Sequence, residues 1–323
     1  MKICCGKNSW LAALLATIAT PAMSVPADDG IKAAIAALAA QDAAVLRVGH
    51  RLVRAGLPLC TAPGRAAGLT LQRLAQYGTE YRDAVRTLLG IGNEPTVAVV
   101  VAGSSADAAG LRAGDRIMRI EGVAPPAAKT SARANFAATD AALTALDAAL
   151  ADGIADLTFQ RGDRSFAVKL TAPPACAARF DVRAGRSMGA SSDGVYVQVS
   201  SDLVADVRGD GELAAVLAHE LAHNILRHPQ RLKAREAGLK VRATEVAADR
   251  LSAYLIDAAG YPSADLLGFW QRWGRAHDFG IFSDRTHPGW RKRVASIEAE
   301  LARIAALRAA GQPVRPPADL LPR

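Results

Sequence analysis

The stretch Val216-Leu217-Ala218-His219-Glu220-Leu221-Ala222-His223-Asn224-Ile225-Leu226 decides the reading of this chain. Val216, Leu217, Leu221, Ile225 and Leu226 recur at the spacing of an amphipathic helix. Asp210 is the expected N-cap, and Pro229 stops the helix soon after its last apolar residue. Positions four apart share a helix face, so His219 and His223 aim two imidazoles at one place. Imidazole nitrogen is a good zinc ligand, and Glu220, beside the first histidine, can take a proton from water there. A His-Glu-x-x-His pattern also arises by chance, so a third ligand decides the matter.

That ligand is expected on a second helical run, Glu245-Val246-Ala247-Ala248-Asp249-Arg250-Leu251-Ser252-Ala253-Tyr254. Glu245 and Asp249 are four apart on one face, and Ala248 is small enough to let another helix approach. Glu245 is read as the third zinc ligand, leaving a fourth position open to water. Asp249, one turn on, is read as an acceptor for a ligand imidazole. The alternative is that Glu245 is a surface carboxylate pairing Arg242 or Arg250. His228, five residues beyond His223, falls off the metal face and reads as structural.

The chain has 323 residues, half of them hydrophobic, which is enough for two folded domains. Its formal net charge is +8. The arginines are scattered and no dense basic block carries interleaved aromatics, so nucleic-acid binding is not expected. Lys2 and Lys7, the apolar run Trp10 to Ala19 and the small residues at Ala22-Met23-Ser24 read as an export signal. The run is short for a membrane span, and no other transmembrane run is present. The alternative is an uncleaved anchor. Cys60 and Cys176 remain after the leader, an even pair in an oxidising compartment. They are either joined as a disulfide or buried as free thiols.

Upstream, Asp28 to about Leu89 reads as mainly helical. The character changes at Gly90-Ile91-Gly92, which precedes the β-branched run Thr96 to Val101. A small-residue turn, Ala109-Gly110-Leu111-Arg112-Ala113-Gly114-Asp115-Arg116-Ile117, a helical stretch at Ala141 to Ala151 and a hairpin across Gly162-Asp163 follow. This order resembles a PDZ domain of the protease-associated kind. The resemblance implies a sheet edge that takes an extended peptide, with Gly90, Ile91 and Gly92 capturing a C-terminal carboxylate. The alternative is a domain that only positions the protease.

Further on come Thr286-His287-Pro288 and Arg293. Taken with the two helical motifs, and with the Asp193-Gly194 turn and the strand Val195 to Val199, they resemble one zinc metallopeptidase family. That family contains the CAAX prenyl-protein endopeptidases, the HtpX-type proteases and the Oma-type mitochondrial protease. The resemblance covers roughly the C-terminal 140 residues. It implies a gluzincin endopeptidase with one zinc per chain and polypeptide substrates that pair with Val195 to Val199 as the sheet edge. His287 would stabilise charge at the scissile carbonyl, and Arg293 would support the site. The alternative for His287 is a turn residue before a proline. No apolar span separates the histidines from Glu245, unlike the integral-membrane members, which favours a soluble exported enzyme.

The expected fold class is α+β: a mainly helical zincin-type catalytic domain with a small edge-exposed sheet, preceded by a PDZ-like β-rich domain and an N-terminal helical segment. The expected boundaries are a signal peptide at 1–24, the helical segment at 25–89, the PDZ-like domain at 90–172, the metallopeptidase domain at 173–312 and a Pro-rich tail at 313–323. The tail is either disordered or laid over the cleft. The expected function is zinc-dependent hydrolysis of exported, unfolded or misfolded proteins, in the periplasm or outside the cell. The other reading is a peptide-binding scaffold or chaperone-like protein with a non-catalytic zinc site. Glu220 argues against it, because a scaffold has no need of that carboxylate.

Overall fold

The computed structural model describes residues 28–60, 62–128, 131–185, 188–276 and 289–321. The expected leader, and His287 with its neighbours Thr286 and Pro288, lie outside these residues.

Helix α1 (Asp28–Ala55) is amphipathic, and its C-terminal half buries Val45, Val48, Leu52 and Val53. These side chains join the core that surrounds the His-Glu-x-x-His helix, so α1 belongs to that core. Gly49 makes this possible: a Cβ there would stand 2.5 Å from the Phe180 ring. The helix gives up roughly 1 kcal/mol of propensity at that glycine and gains a close approach.

After α1 come β1 (Pro63–Arg65), β2 (Leu69–Gln72), α2 (Arg82–Leu89), β3 (Thr96–Val100), α3 (Ser105–Ala108), β4 (Arg116–Ile120), α4 (Ala137–Ala149), β5 (Ile154–Arg161) and β6 (Arg164–Thr171). Among the described residues β2 to β6 form one antiparallel sheet in sequence order. Leu71, Val97, Ile117, Leu157, Phe159 and Leu170 bury one face of it against Leu143 and Leu146 of α4.

Residues 28–89 are mostly helical, and they also supply β2, which pairs with β3 on the far side of residue 90. Gly90-Ile91-Gly92 also opens onto no free sheet edge, since β3 has β2 on one side and β4 on the other. Instead Gly90 caps α2 in the left-handed conformation, Ile91 is buried, and the Gly92 carbonyl accepts from the Leu74 N–H at 2.8 Å. The outer edge of β2 borders a cavity of about 90 Å³ between α4 and α1, lined by Leu69, Leu143, Leu146, Asp42 and Phe180.

Strand β7 (Pro174–Cys176) pairs antiparallel with β1. Cys60 and Cys176 face each other here with Cα atoms 5.6 Å apart, a spacing that suits a disulfide. Next come β8 (Arg179–Arg183), β9 (Ala190–Ser192) and β10 (Tyr196–Ser200). Their order is β8-β10-β9, with β10 parallel to β8 and antiparallel to β9. The strand expected at Val195 to Val199 is therefore the central strand, and the exposed edge near the metal helix is β9.

Helices α5 (Ser201–Asp206), α6 (Gly209–Ile225), α7 (His228–Lys233), α8 (Val241–Ala258), α9 (Ser263–Ala276) and α10 (Trp290–Ala309) complete the chain. Helix α6 is the axle of this group and is buried along almost its whole length. It starts at Gly209, one residue before the expected cap. The Arg208 N–H is satisfied by Glu212 at 2.8 Å, and Asp210 instead pairs with Arg47 of α1. The described part of the tail, 313–321, packs onto the fold: Leu320 is buried in the same core, and Asp319 lies 3.4 Å from Arg250 of α8. No described helix is long and apolar enough to cross a membrane.

Candidate metal centre

Helices α6 and α8 pack side by side, and Ala218, Ala222 and Ala248 are fully buried in the core they share. These small residues let the two backbones approach, so side chains from both helices meet. His219 Nε2 and His223 Nε2 are 3.3 Å apart. Glu245 Oε2 lies 3.4 Å from the first and Oε1 lies 3.5 Å from the second. All three residues are buried, and their donor atoms fall within 4.8 Å of one another. Two imidazole nitrogens and one carboxylate converging from two helices fit a single divalent ion with a position left open.

The atoms behind the donors are also placed. His219 Nδ1 lies 3.0 Å from Asp249 Oδ1, so the ring is held with Nε2 facing Glu245. Asp249 is fully buried and is gripped by Arg293 from α10, Nη2 to Oδ1 at 2.7 Å and Nε to Oδ2 at 2.9 Å. Arg293 lies over the Trp270 ring, 3.6 Å from its centroid, and Trp270 meets the His219 ring edge to face. Asp249 and Arg293 thus touch each other, and Asp249 touches the His219 ring.

Electrostatics separate the two histidines. Burial works against charge on His219, but Asp249 and Glu245 outweigh it and raise its pKa to about 9 in the metal-free site. Burial and the nearby His219 push His223 down to about 3. Burial raises the Glu220 carboxyl, and the neighbouring Glu245 adds to this, against His219, Ser192 and Arg293. Asp249 goes the other way: its burial is overcome by Arg293 and His219, and its pKa falls.

Glu220 reaches toward β9 and accepts from the Ser192 hydroxyl at 3.1 Å. This ties the edge strand to the site. Asn224 adds a second tie, because its Oδ1 accepts from the Gly194 N–H at 2.7 Å and its Nδ2 donates to the Tyr196 carbonyl. Asp193 closes the turn between them by accepting from the N–H groups of Val195 and Tyr196. The exposed apolar side chains Met188 and Val195 flank β9, while Val241 and Val246 stand on α8 beside Glu245.

Ser192 and Asn224 escaped the sequence reading, and His228, read as structural and off the metal face, touches a ring of the site. His228 is not remote from the site, since its Nδ1 is 3.1 Å from His223 Nδ1. Asn224 carried a signal, being next to the second histidine and opposite an Asp-Gly turn.

The sequence profile of peptidase family M48 matches residues 187–241, a span holding β9, β10, His219, Glu220, His223 and His228 but ending before Glu245. The match supports a peptidase of the M48 metallopeptidase kind, a hydrolase acting on polypeptides. No curated protein matches the chain.

Proposed function

We propose that this chain is a zinc-dependent endopeptidase that cleaves exposed, extended segments of exported proteins. The observation that carries the reading is the convergence of His219, His223 and Glu245 with Glu220 at its side. Zinc held by those three would polarise a peptide carbonyl and lower the pKa of water in the site. Glu220, its carboxyl raised by burial, takes the proton of the attacking water and returns it to the leaving amine. The substrate backbone pairs with β9, whose outer edge is unpaired among the described strands. Met188, Val195, Val241 and Val246 offer apolar contacts to its side chains, which favours unfolded substrates.

The sheet β2 to β6 with α4 serves as a PDZ-like brace in this reading rather than as a peptide trap. Arg179 at the start of β8 pairs with Asp140 and Asp147 of α4, and the Tyr196 hydroxyl of β10 donates to Asp140 at 2.6 Å. The brace therefore grips the sheet that carries β9. Export is supported by the Cys60–Cys176 pair, which an oxidising compartment would close.

The test is Glu220→Gln in purified protein, assayed on casein alongside chelator-treated and zinc-restored wild type. Hydrolysis is expected to fall at least about 100-fold, the lower end of what a general base contributes, with zinc content unchanged. Wild-type activity in the variant, or activity that survives the chelator, would rule the mechanism out.

A further inference from the structure

We infer that His228 is a positioning residue: it fixes the tautomer and ring orientation of His223 so that Nε2 faces the metal. The inference rests on the metal-site reading above, and it concerns the metal rather than the hydrolysis.

The geometry is specific. His228 is 2% exposed, and its ring meets the His223 ring edge to face with centroids 4.9 Å apart. The Nδ1 atoms of the two rings are 3.1 Å apart. His223 Nε2 is the atom that faces His219 and Glu245. A neutral imidazole carries one proton and one lone pair. A lone pair on Nε2, needed for a metal, leaves the proton on Nδ1, so His223 donates and His228 Nδ1 must accept. His228 then carries its own proton on Nε2.

The chain is bent to allow this. Helix α6 ends at Ile225, and Arg227 adopts the left-handed conformation at φ 55°, ψ 31°. A non-glycine residue rarely adopts that conformation, because its Cβ crowds the following carbonyl oxygen. Pro229 follows at the start of α7, where its missing N–H leaves no donor unpaired. The reversal folds His228 back against the last turn of α6, a place that helical spacing from His223 would not reach.

The two ligand histidines are therefore held by different acceptors. His219 has the carboxylate of Asp249, itself balanced by Arg293. His223 has a neutral imidazole. A carboxylate in that second place would add negative charge beside Glu245 and make the ligand more basic, which weakens the ion as a Lewis acid. A neutral acceptor orients the ring without that charge.

The experiment compares zinc affinity, by competition with a chromophoric chelator, in wild type, His228→Leu and His228→Asn. The asparagine Oδ1 can take the place of the histidine Nδ1. His228→Leu is expected to bind zinc about 10- to 100-fold more weakly, with His228→Asn within a few-fold of wild type. Equal affinity in wild type and His228→Leu would overturn the inference, as would an asparagine variant as weak as the leucine one. Should neither variant fold, nitrogen-15 spectra of histidine-labelled, zinc-loaded wild type decide. A proton on His228 Nε2 supports the inference, and one on its Nδ1 overturns it. Failure of wild type to bind zinc at all would remove the metal-site reading and this inference together, whereas zinc binding insensitive to His228 would remove this one alone.

Discussion

Arg293 holds Asp249 through two nitrogens, and Asp249 in turn holds the Nδ1 side of a ring whose other nitrogen belongs to the metal site. Asp249 is fully buried, so its charge depends on this partner. Arg293→Met keeps much of the side-chain volume and removes the charge. The metal-free variant is expected to lose about 3–5 kcal/mol of stability in chemical denaturation. Arg293→Lys should recover part of it, because an ammonium cannot reproduce the two-pronged contact. A loss below about 1 kcal/mol, the range of an exposed pair, would show that Asp249 does not need Arg293.

The pKa of His219 makes metal loading depend on pH. In the metal-free site it lies near 9, well above the ordinary 6.5. Between those values the metal-free folded protein holds a proton that the unfolded chain does not. That contribution to stability, on the order of 3 kcal/mol, is present below pH 6.5 and is lost as pH rises through 9. Metal binding has the opposite slope, since the ion must displace the same proton. Apparent zinc affinity is expected to rise about tenfold per pH unit from pH 7 and to level off above about pH 9. A chelator competition run across that range checks this, and a flat profile would mean that His219 is already neutral at pH 7.

What was legible in the sequence was what helical periodicity carries. His219 and His223 share a face because they are four apart, as do Glu245 and Asp249, and neither fact needs tertiary information. That the two faces meet was signalled by Ala248. The strands were harder. Ala190-Ser191-Ser192 has no β-branched or aromatic residue, and it is a strand only because β10 lies beside it. The β pattern of Tyr196 to Ser200 stands out in the sequence, whereas the edge strand beside it leaves no such mark. Leu69 to Gln72 is similarly short, and its strand character comes from pairing with residues 24 to 31 positions away. His228 was hidden for another reason: an offset of five is off-face on a continuous helix, and only the left-handed Arg227 brings it back.

Arg179 offers a way to separate the brace from the chemistry. It makes contacts with Asp140, Thr144 and Asp147 on α4 and with Tyr196 on β10, and none with the metal donors. Arg179→Ala frees β8 and β10 from α4 and loosens the edge strand β9. The expected effect is a several-fold rise in KM for a polypeptide substrate, with zinc affinity unchanged. Loss of zinc along with activity would mean that the brace supports the whole metal fold rather than its substrate edge.

Asp42 supplies the last prediction, because it links the two cores. Its Oδ2 accepts from Gln72 Nε2 of β2 at 2.8 Å, and Gln72 in turn accepts from the Tyr77 hydroxyl at 2.6 Å. Burial, reinforced by the nearby Asp181, raises the Asp42 carboxyl from 3.8 to about 7, against the hydrogen bonds from Gln72 and the Val182 backbone. A raised carboxyl means that the folded protein binds this proton more tightly than the unfolded chain. Its stabilising contribution is therefore present below about pH 4 and is lost as pH climbs to about 7. The full swing is on the order of 4 kcal/mol. Asp42→Asn keeps an oxygen to accept from Gln72 and has no proton to lose. Denaturation of wild type and variant at pH 5 and pH 8 should show the variant gaining relative stability at the higher pH by about 1–3 kcal/mol, part of that swing being offset by relaxation and solvent entry. Parallel pH dependence in the two proteins would place the Asp42 carboxyl in its ordinary range and leave the junction between the sheet and α1 insensitive to pH.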